Sequence, residues 1–443
     1  MPRIPRAVAA VTLPVAVVAA LAGCVPGPPP VEREPFRGET TPVDVDSFAG
    51  RTLDYVYIAD SDAEEQATRD LIADFTAETG AEVNLQVVPY VNLEQSLNAR
   101  LSGSDVPDVA RVSSNQLTSF TDQTTDLRTY LGADYLEQFQ EGVASTVTGD
   151  DGEAWAVPSD VTMNGLFVNV DQFEEAGVDL PGSTDAVTWE GVVDSARQVQ
   201  QALGTEFALA VDKSGHRASG VLSGYGTTMI ADDGGNGLDV DVAADVIGDL
   251  ASLMEDDTMS RDFWLSSGSR YAGANEIFLA QSAPVYLSGN WQVAQFASSA
   301  DFDWAVVPNA CDVRCGGFPG AKVMTVFERG GDADLAATFV AWMNDTEQQR
   351  RMDEAANFLP TRVDLADEGL DYPVRGDDMK VFLAELDGLP ADTYASAASP
   401  QFNTAATELV DLVSEVVGGR LTADEAAERL DAELETLVGE GAR

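Results

Sequence analysis

The residues best equipped for chemistry sit at the end of a short apolar run, Ala283 to Leu287, where Ser288-Gly289-Asn290 forms a turn-prone cluster and Trp291 follows. A buried strand that stops in Gly-Asn-Trp presents a large flat aromatic and an amide at the rim of a sheet. In open α/β folds that rim is where ligands sit. Two further polar loops are predicted at strand carboxyl ends, Asp60-Ser61-Asp62 and Ser113-Ser114-Asn115. Asn115 is a candidate ligand contact, whereas Ser61 and Ser113 read as helix caps. Trp264 is flanked by polar residues in Asp262-Phe263-Trp264-Leu265-Ser266 and either faces a ligand or packs. Arg362 follows Pro360-Thr361 and either reaches a cleft or pairs with one of many acids, the commoner fate.

Scarcity narrows the catalytic options. The chain has one histidine, His216, and three cysteines, so a His-rich zinc site, an H-E-x-x-H helix and a Cys₄ cluster are excluded within one chain. A Ser-His-Asp triad would have to use His216, and no G-x-S-x-G accompanies it. His216 lies in Asp212-Lys213-Ser214-Gly215-His216-Arg217, a polar stretch that predicts a solvated surface loop. There is no P-loop, and no metal or cofactor is expected. The net charge of −50 repels nucleic acid and anionic membrane surfaces.

The elements that position these residues alternate in type. Leu53 to Ala59 reads as a buried strand, and Ser61 with Glu64 opens a helix that Gly80 stops. Val83–Val88, Leu93–Leu101 and Asp108–Val112 continue as strand, helix, strand. Such alternation calls for a largely parallel sheet flanked by helices. Trp155–Pro158 and Leu166–Asn169 read as two short strands separated by the polar run Asp160–Asn164. Thr188 caps a helix in which Trp189, Val192, Val193, Ala196 and Val199 share a face, so Trp189 reads as core. At 443 residues, two domains are the natural reading. At the amino terminus, Arg3 and Arg6 precede an apolar run from Ala7 to Ala20, the layout of a secretory signal. Six prolines in residues 25–49 predict an extended tether without secondary structure.

Four segments in order resemble the bacterial extracellular solute-binding proteins of family 1, the sugar-binding lipoproteins that feed ABC importers. They are Val106-Pro107-Asp108-Val109; the block from Gly152-Glu153-Ala154-Trp155-Ala156-Val157-Pro158 through Phe167-Val168-Asn169 to Thr188-Trp189; Ile277–Pro308; and Phe358-Leu359-Pro360-Thr361-Arg362. The resemblance implies a two-lobed periplasmic-binding-protein-like α/β fold with a ligand cleft between lobes. It implies residues 1–23 as signal peptide, 24–49 as tether, 50–159 plus 308–357 as the N-terminal lobe and 160–307 plus 358–443 as the C-terminal lobe. Leu21-Ala22-Gly23-Cys24 resembles a lipobox, which implies acylation of Cys24 and anchoring on the outer face of the cytoplasmic membrane. In that compartment Cys311 and Cys315 are expected to form a disulfide.

The same resemblance places Asp160 at the cleft mouth, Tyr225 as a second aromatic wall and Phe402 as a late aromatic contact. The implied activity is binding without catalysis by a monomer: Trp291 stacks on a sugar ring, and Asp160, Asn115 and Asn290 satisfy hydroxyls. A membrane permease of the ABC type is the implied partner. Two alternatives stay open. One is a secreted carbohydrate-active hydrolase using two carboxylates; the other is a binding protein for a sugar phosphate, for which Arg362 is the candidate cation.

Overall fold

The computed structural model describes residues 36–182, 186–266 and 269–441. The signal segment, Cys24 and the tether up to residue 35 lie outside the described residues. Eight strands carry the architecture: β1 (Thr52–Tyr57), β2 (Glu82–Val87), β3 (Val109–Ser113), β4 (Val157–Asn169), β5 (Leu209–Val211), β6 (Val285–Gly289), β7 (Trp304–Val307) and β8 (Pro319–Val326). They follow the order β2-β1-β3-β8-β4-β6-β5, with β7 also paired to β4. β1 lies parallel to β2 and β3, and β5 lies parallel to β6. β8 runs antiparallel to β3 and to the first half of β4, while the second half of β4 runs antiparallel to β6 and β7.

β4 therefore belongs to both halves of this two-lobed fold. It is one unbroken strand where the sequence predicts two with a polar gap. Asp160 and Thr162 pair with β8 and Asn164 pairs with β6, while the Asp160 side chain pairs with Arg111 and the Asn164 side chain with His216 and Arg217, so the strand runs on through the polar stretch. A register shift between Pro158 and Asp160 marks a bulge near the crossing. Helices cover both faces, and their cores divide accordingly. Leu71, Phe75, Phe339 and Phe358 pack with Leu53, Tyr55 and Val109 around the first group of strands. Around the second group, Trp189, Leu250, Leu409 and Leu430 pack with Leu166, Leu209 and Val285.

The predicted caps form. Ser61 accepts a hydrogen bond from the Glu64 amide at 3.2 Å, and Gly80 ends that helix in the left-handed region at φ 71°. The last helix opens with a further capping box, in which Thr422 and Glu425 bond reciprocally. The tether needs correction. Residues 45–48 form a 3₁₀ turn, Phe48 is fully buried, and the Thr41 amide donates to the Thr129 carbonyl at 2.7 Å. Phe48 supplies the burial that a purely extended tether lacks, so the chain is already docked upstream of residue 49.

The disulfide between Cys311 and Cys315 is present, and its loop is tied inward on three sides. Asp312 accepts from the Trp189 amide at 3.1 Å, the Val313 amide donates to Gly224, and Arg314 pairs with Asp392 at 2.6 Å. In the chain-entropy picture, closing so short a loop stabilises by about 2 kcal/mol.

Candidate functional site: a polar cleft under Trp291

A void of about 180 Å³ opens where the two strand groups meet, and segments distant in sequence line it. Asp60 follows β1, Tyr90 opens the helix Tyr90–Ser102, Ser113 ends β3, and Asn115 follows it. Thr162 comes from β4, and Gly320, Ala321 and Lys322 from β8. Ser214, His216 and Arg217 surround the start of the helix Gly215–Gly224, and Trp291 stands before the helix Gln292–Ser299.

Trp291 is held in place by backbone geometry. A Cβ built at Gly289 would lie 2.1 Å from the indole, so only glycine lets the ring lie over the end of β6. The Arg217 guanidinium sits 4.5 Å from the ring centroid, a cation–π contact. Arg217 is itself fixed by Asp212 at 3.0 Å and by Asn164 Oδ1 at 3.2 Å. Ser288 and Tyr286 donate to the same Asp212 carboxylate. The platform thus rests on a chain of satisfied polar groups running down into β4 and β6.

On the opposite wall Lys322 pairs with Asp60. Burial alone would push the Asp60 carboxyl up, but the Lys322 ammonium beside it holds it below the usual range. Deeper still, Arg111 bridges Glu64 at 2.8 Å and Asp160, and all three are buried. The Glu64 carboxylate also accepts from the Tyr57 hydroxyl at 2.7 Å and the Asp60 amide at 2.6 Å. Burial raises the Asp160 and Glu64 carboxyls against the pull of Arg111. Asp353, whose two oxygens have no partner, is pushed far up by burial and by Asp160. Among the described residues no cluster of His, Cys, Asp and Glu is arranged to hold a metal.

Of the sequence candidates, Trp291 and Asn115 line the void together, and Asn115 Nδ2 donates to Asn403 at 3.0 Å. The others are placed differently. Asn290 is fully buried, with Oδ1 accepting from the Met163 amide at 2.9 Å and Nδ2 donating to the Asn357 carbonyl at 3.2 Å. It staples β6 to β4 and to the late segment, because alternation along the strand end turns 290 inward and 291 outward. Asp160 lies beneath the void on Arg111. Tyr225 lines a separate small cavity beside Trp189 and donates to Asp249 at 3.3 Å. Trp264 is core at 1% exposure, and Phe402 is core at 0%, stacked on Phe318 at 5.0 Å. Arg362 pairs with Asp364 at 3.0 Å and donates to Gln138 at 2.7 Å, the commoner of its two fates.

Sequence reasoning missed Arg217, Lys322, Tyr90, Thr162 and, above all, His216, which is half-buried in the void rather than solvated. Ser214 caps its helix, and Gly215 lets that helix touch Ala406, where a Cβ would clash at 2.4 Å. The Ser-Gly pair before His216 was the available signal: it is a helix start, not a loop.

The inward role of Asn290 carries its own prediction. Asn290→Ala leaves a buried amide and a buried carbonyl unpaired, which should destabilise the fold by about 3 kcal/mol in denaturant titration. Ligand affinity of the folded fraction should stay close to that of the parent protein.

Comparison with known proteins agrees with this architecture. The chain superposes on the GacH receptor of Streptomyces glaucescens with a TM-score of 0.76 at 18% identity, covering 88% of this chain and 98% of that one. For maltose-bound MalE3 of T. maritima the TM-score is 0.73 at 17% identity, over 88% and 100%. Among curated proteins, the diacetylchitobiose binding protein DasA of Streptomyces coelicolor is 27% identical over 146 residues, 32% of this chain and 33% of DasA. This chain thus spans a third of that relative's length. A putative binding protein of Brucella abortus is 22% identical over 324 residues, 70% of this chain and 76% of the relative. The sequence profile described as bacterial extracellular solute-binding protein matches residues 59–350, more than half of the chain, and this protein belongs to that family.

Proposed function

We propose that the protein captures a neutral sugar or oligosaccharide against Trp291 and hands it, unchanged, to an ABC-type permease. The observation that carries this reading is the pairing of an indole platform with a void whose charges are already neutralised. Lys322 is matched by Asp60 and Arg217 by Asp212. A pyranose has an apolar C–H face for the indole and a rim of hydroxyls for the surrounding side chains. A phosphorylated solute would need an unpaired cation, and both cations facing the void are engaged; Arg362 stands elsewhere. A hydrolase would need two carboxylates flanking a bond, whereas Asp60 is the one carboxylate lining the void. The relatives' names fit the same class: diacetylchitobiose for DasA, maltose for MalE3 and acarbose for GacH.

In this reading residues 50–159 with 308–357, and 160–307 with 358–443, are the two jaws. Each supplies part of the void, so ligand favours the closed arrangement. Cys24 is the lipid anchor, holding the receptor near its permease on the outer face of the membrane. A thermal-shift screen of the chain from residue 36 over mono- and oligosaccharides tests the reading. Reversible stabilisation without turnover is expected from at least one sugar; released reducing ends, or stabilisation by sugar phosphates alone, would refute it.

A further inference from the structure

Building on the carbohydrate reading above, we infer that His216 selects the ligand, its imidazole donating one hydrogen bond and accepting another from adjacent hydroxyls of the sugar that rests on Trp291. The ring lines the void, and neither of its nitrogens has a hydrogen-bond partner among the described residues. Its charged neighbours are committed. Lys322 is held by Asp60, Arg217 by Asp212 and Asn164, and Asn115 donates to Asn403. The Ser214 hydroxyl accepts from the His216 amide at 3.3 Å, while the His216 carbonyl accepts from Asn164 at 3.1 Å. The imidazole is left with both nitrogens unspent, a donor and an acceptor on one rigid ring facing the cavity.

Its orientation is fixed by packing. Phe402 meets the imidazole edge-on at 4.8 Å and 71°, and Phe318 does so at 5.9 Å and 77°. Gly320 lies across from Nε2, where a Cβ would stand 3.7 Å away, so the approach stays open. Charge state completes the argument. Burial first, and then the Arg217 cation beside it, push the imidazole down to about 3. The other charged groups lining the void are the paired Lys322 and Asp60, and Arg217 is itself matched by Asp212. The ring is therefore neutral near pH 7, with one donor nitrogen and one acceptor nitrogen, a match to vicinal hydroxyls. A sugar whose hydroxyl pattern leaves it unpaired in the closed cleft is rejected, because a desolvated polar group without a partner is costly.

The test is isothermal titration of the full chain in detergent with D-glucose, maltose, maltotriose and N,N′-diacetylchitobiose. His216→Phe keeps the aromatic packing on Phe402 and Phe318 but deletes both nitrogens. It should weaken the best of the four sugars by about 10- to 100-fold while leaving thermal unfolding of the free protein near wild type. His216→Gln, which restores a donor and an acceptor at a different reach, should bind more tightly than the Phe variant and reorder the four sugars. It also carries the test should the Phe variant fail to fold. Unchanged affinities and ranking in the His216 variants, with binding abolished by Trp291→Ala, would overturn the inference and leave the carbohydrate reading standing. A wild-type chain that binds none of the four and is stabilised by no sugar in the wider screen would overturn both.

Discussion

Trp291→Ala is expected to cost the receptor roughly 30- to 1,000-fold in carbohydrate affinity, equivalent to about 2–4 kcal/mol, the range of a buried tryptophan hot spot. The size of the effect follows from how the indole is supported. It lies across Gly289, is backed by Arg217 at 4.5 Å, and stands beside a void whose other walls are mostly polar. Removing it deletes the largest aromatic surface there and frees Arg217 to move into the space. Titration calorimetry with the best sugar from the screen measures the loss. Thermal unfolding without sugar should change little, because Trp291 is half-exposed and outside the main cores. An affinity within threefold of wild type would remove the indole from the binding surface.

The second large effect is on stability. Arg111→Met should destabilise the fold by about 3–5 kcal/mol, because it strands two buried carboxylates, Glu64 and Asp160, that share the guanidinium. The guanidinium also lies 5.1 Å from the rings of Tyr57 and Phe358, so packing is lost with charge. Equilibrium denaturation reads the loss. Combining Arg111→Met with Glu64→Gln and Asp160→Asn should recover most of it, since the cost lies in the unpaired charges and not in the missing pair. A triple variant as unstable as the single one would show that shape, and not electrostatics, governs this site.

How much of this was legible in the sequence depends on range. Features written locally were readable: Ser61 before Glu64, Gly80 at a helix end, the 3.6-residue spacing around Trp189, and the Gly-Asn-Trp stop of β6. Trp291 was found because an aromatic at a strand end is itself a local signal. What failed was non-local. Asp160 and Asn290 are polar residues close to the void, but their partners, Arg111 and Met163 or Asn357, lie far along the chain, and those partners turn them inward. Lys322 faces the void because β8 pairs with both β3 and β4, which no periodicity announces. Trp264 and Phe402 lie in polar or proline-marked surroundings yet are core, because helices distant in sequence close over them.

The bond between Cys311 and Cys315 has a practical corollary. Of the three cysteines in the sequence, these two are spent on each other, so a form of the chain beginning after residue 24 carries no free thiol. Tyr90, 44% exposed at the lip of the cleft, can then be exchanged for the sole alkylatable thiol. A fluorophore attached there would turn the receptor into an optical reporter of its own occupancy.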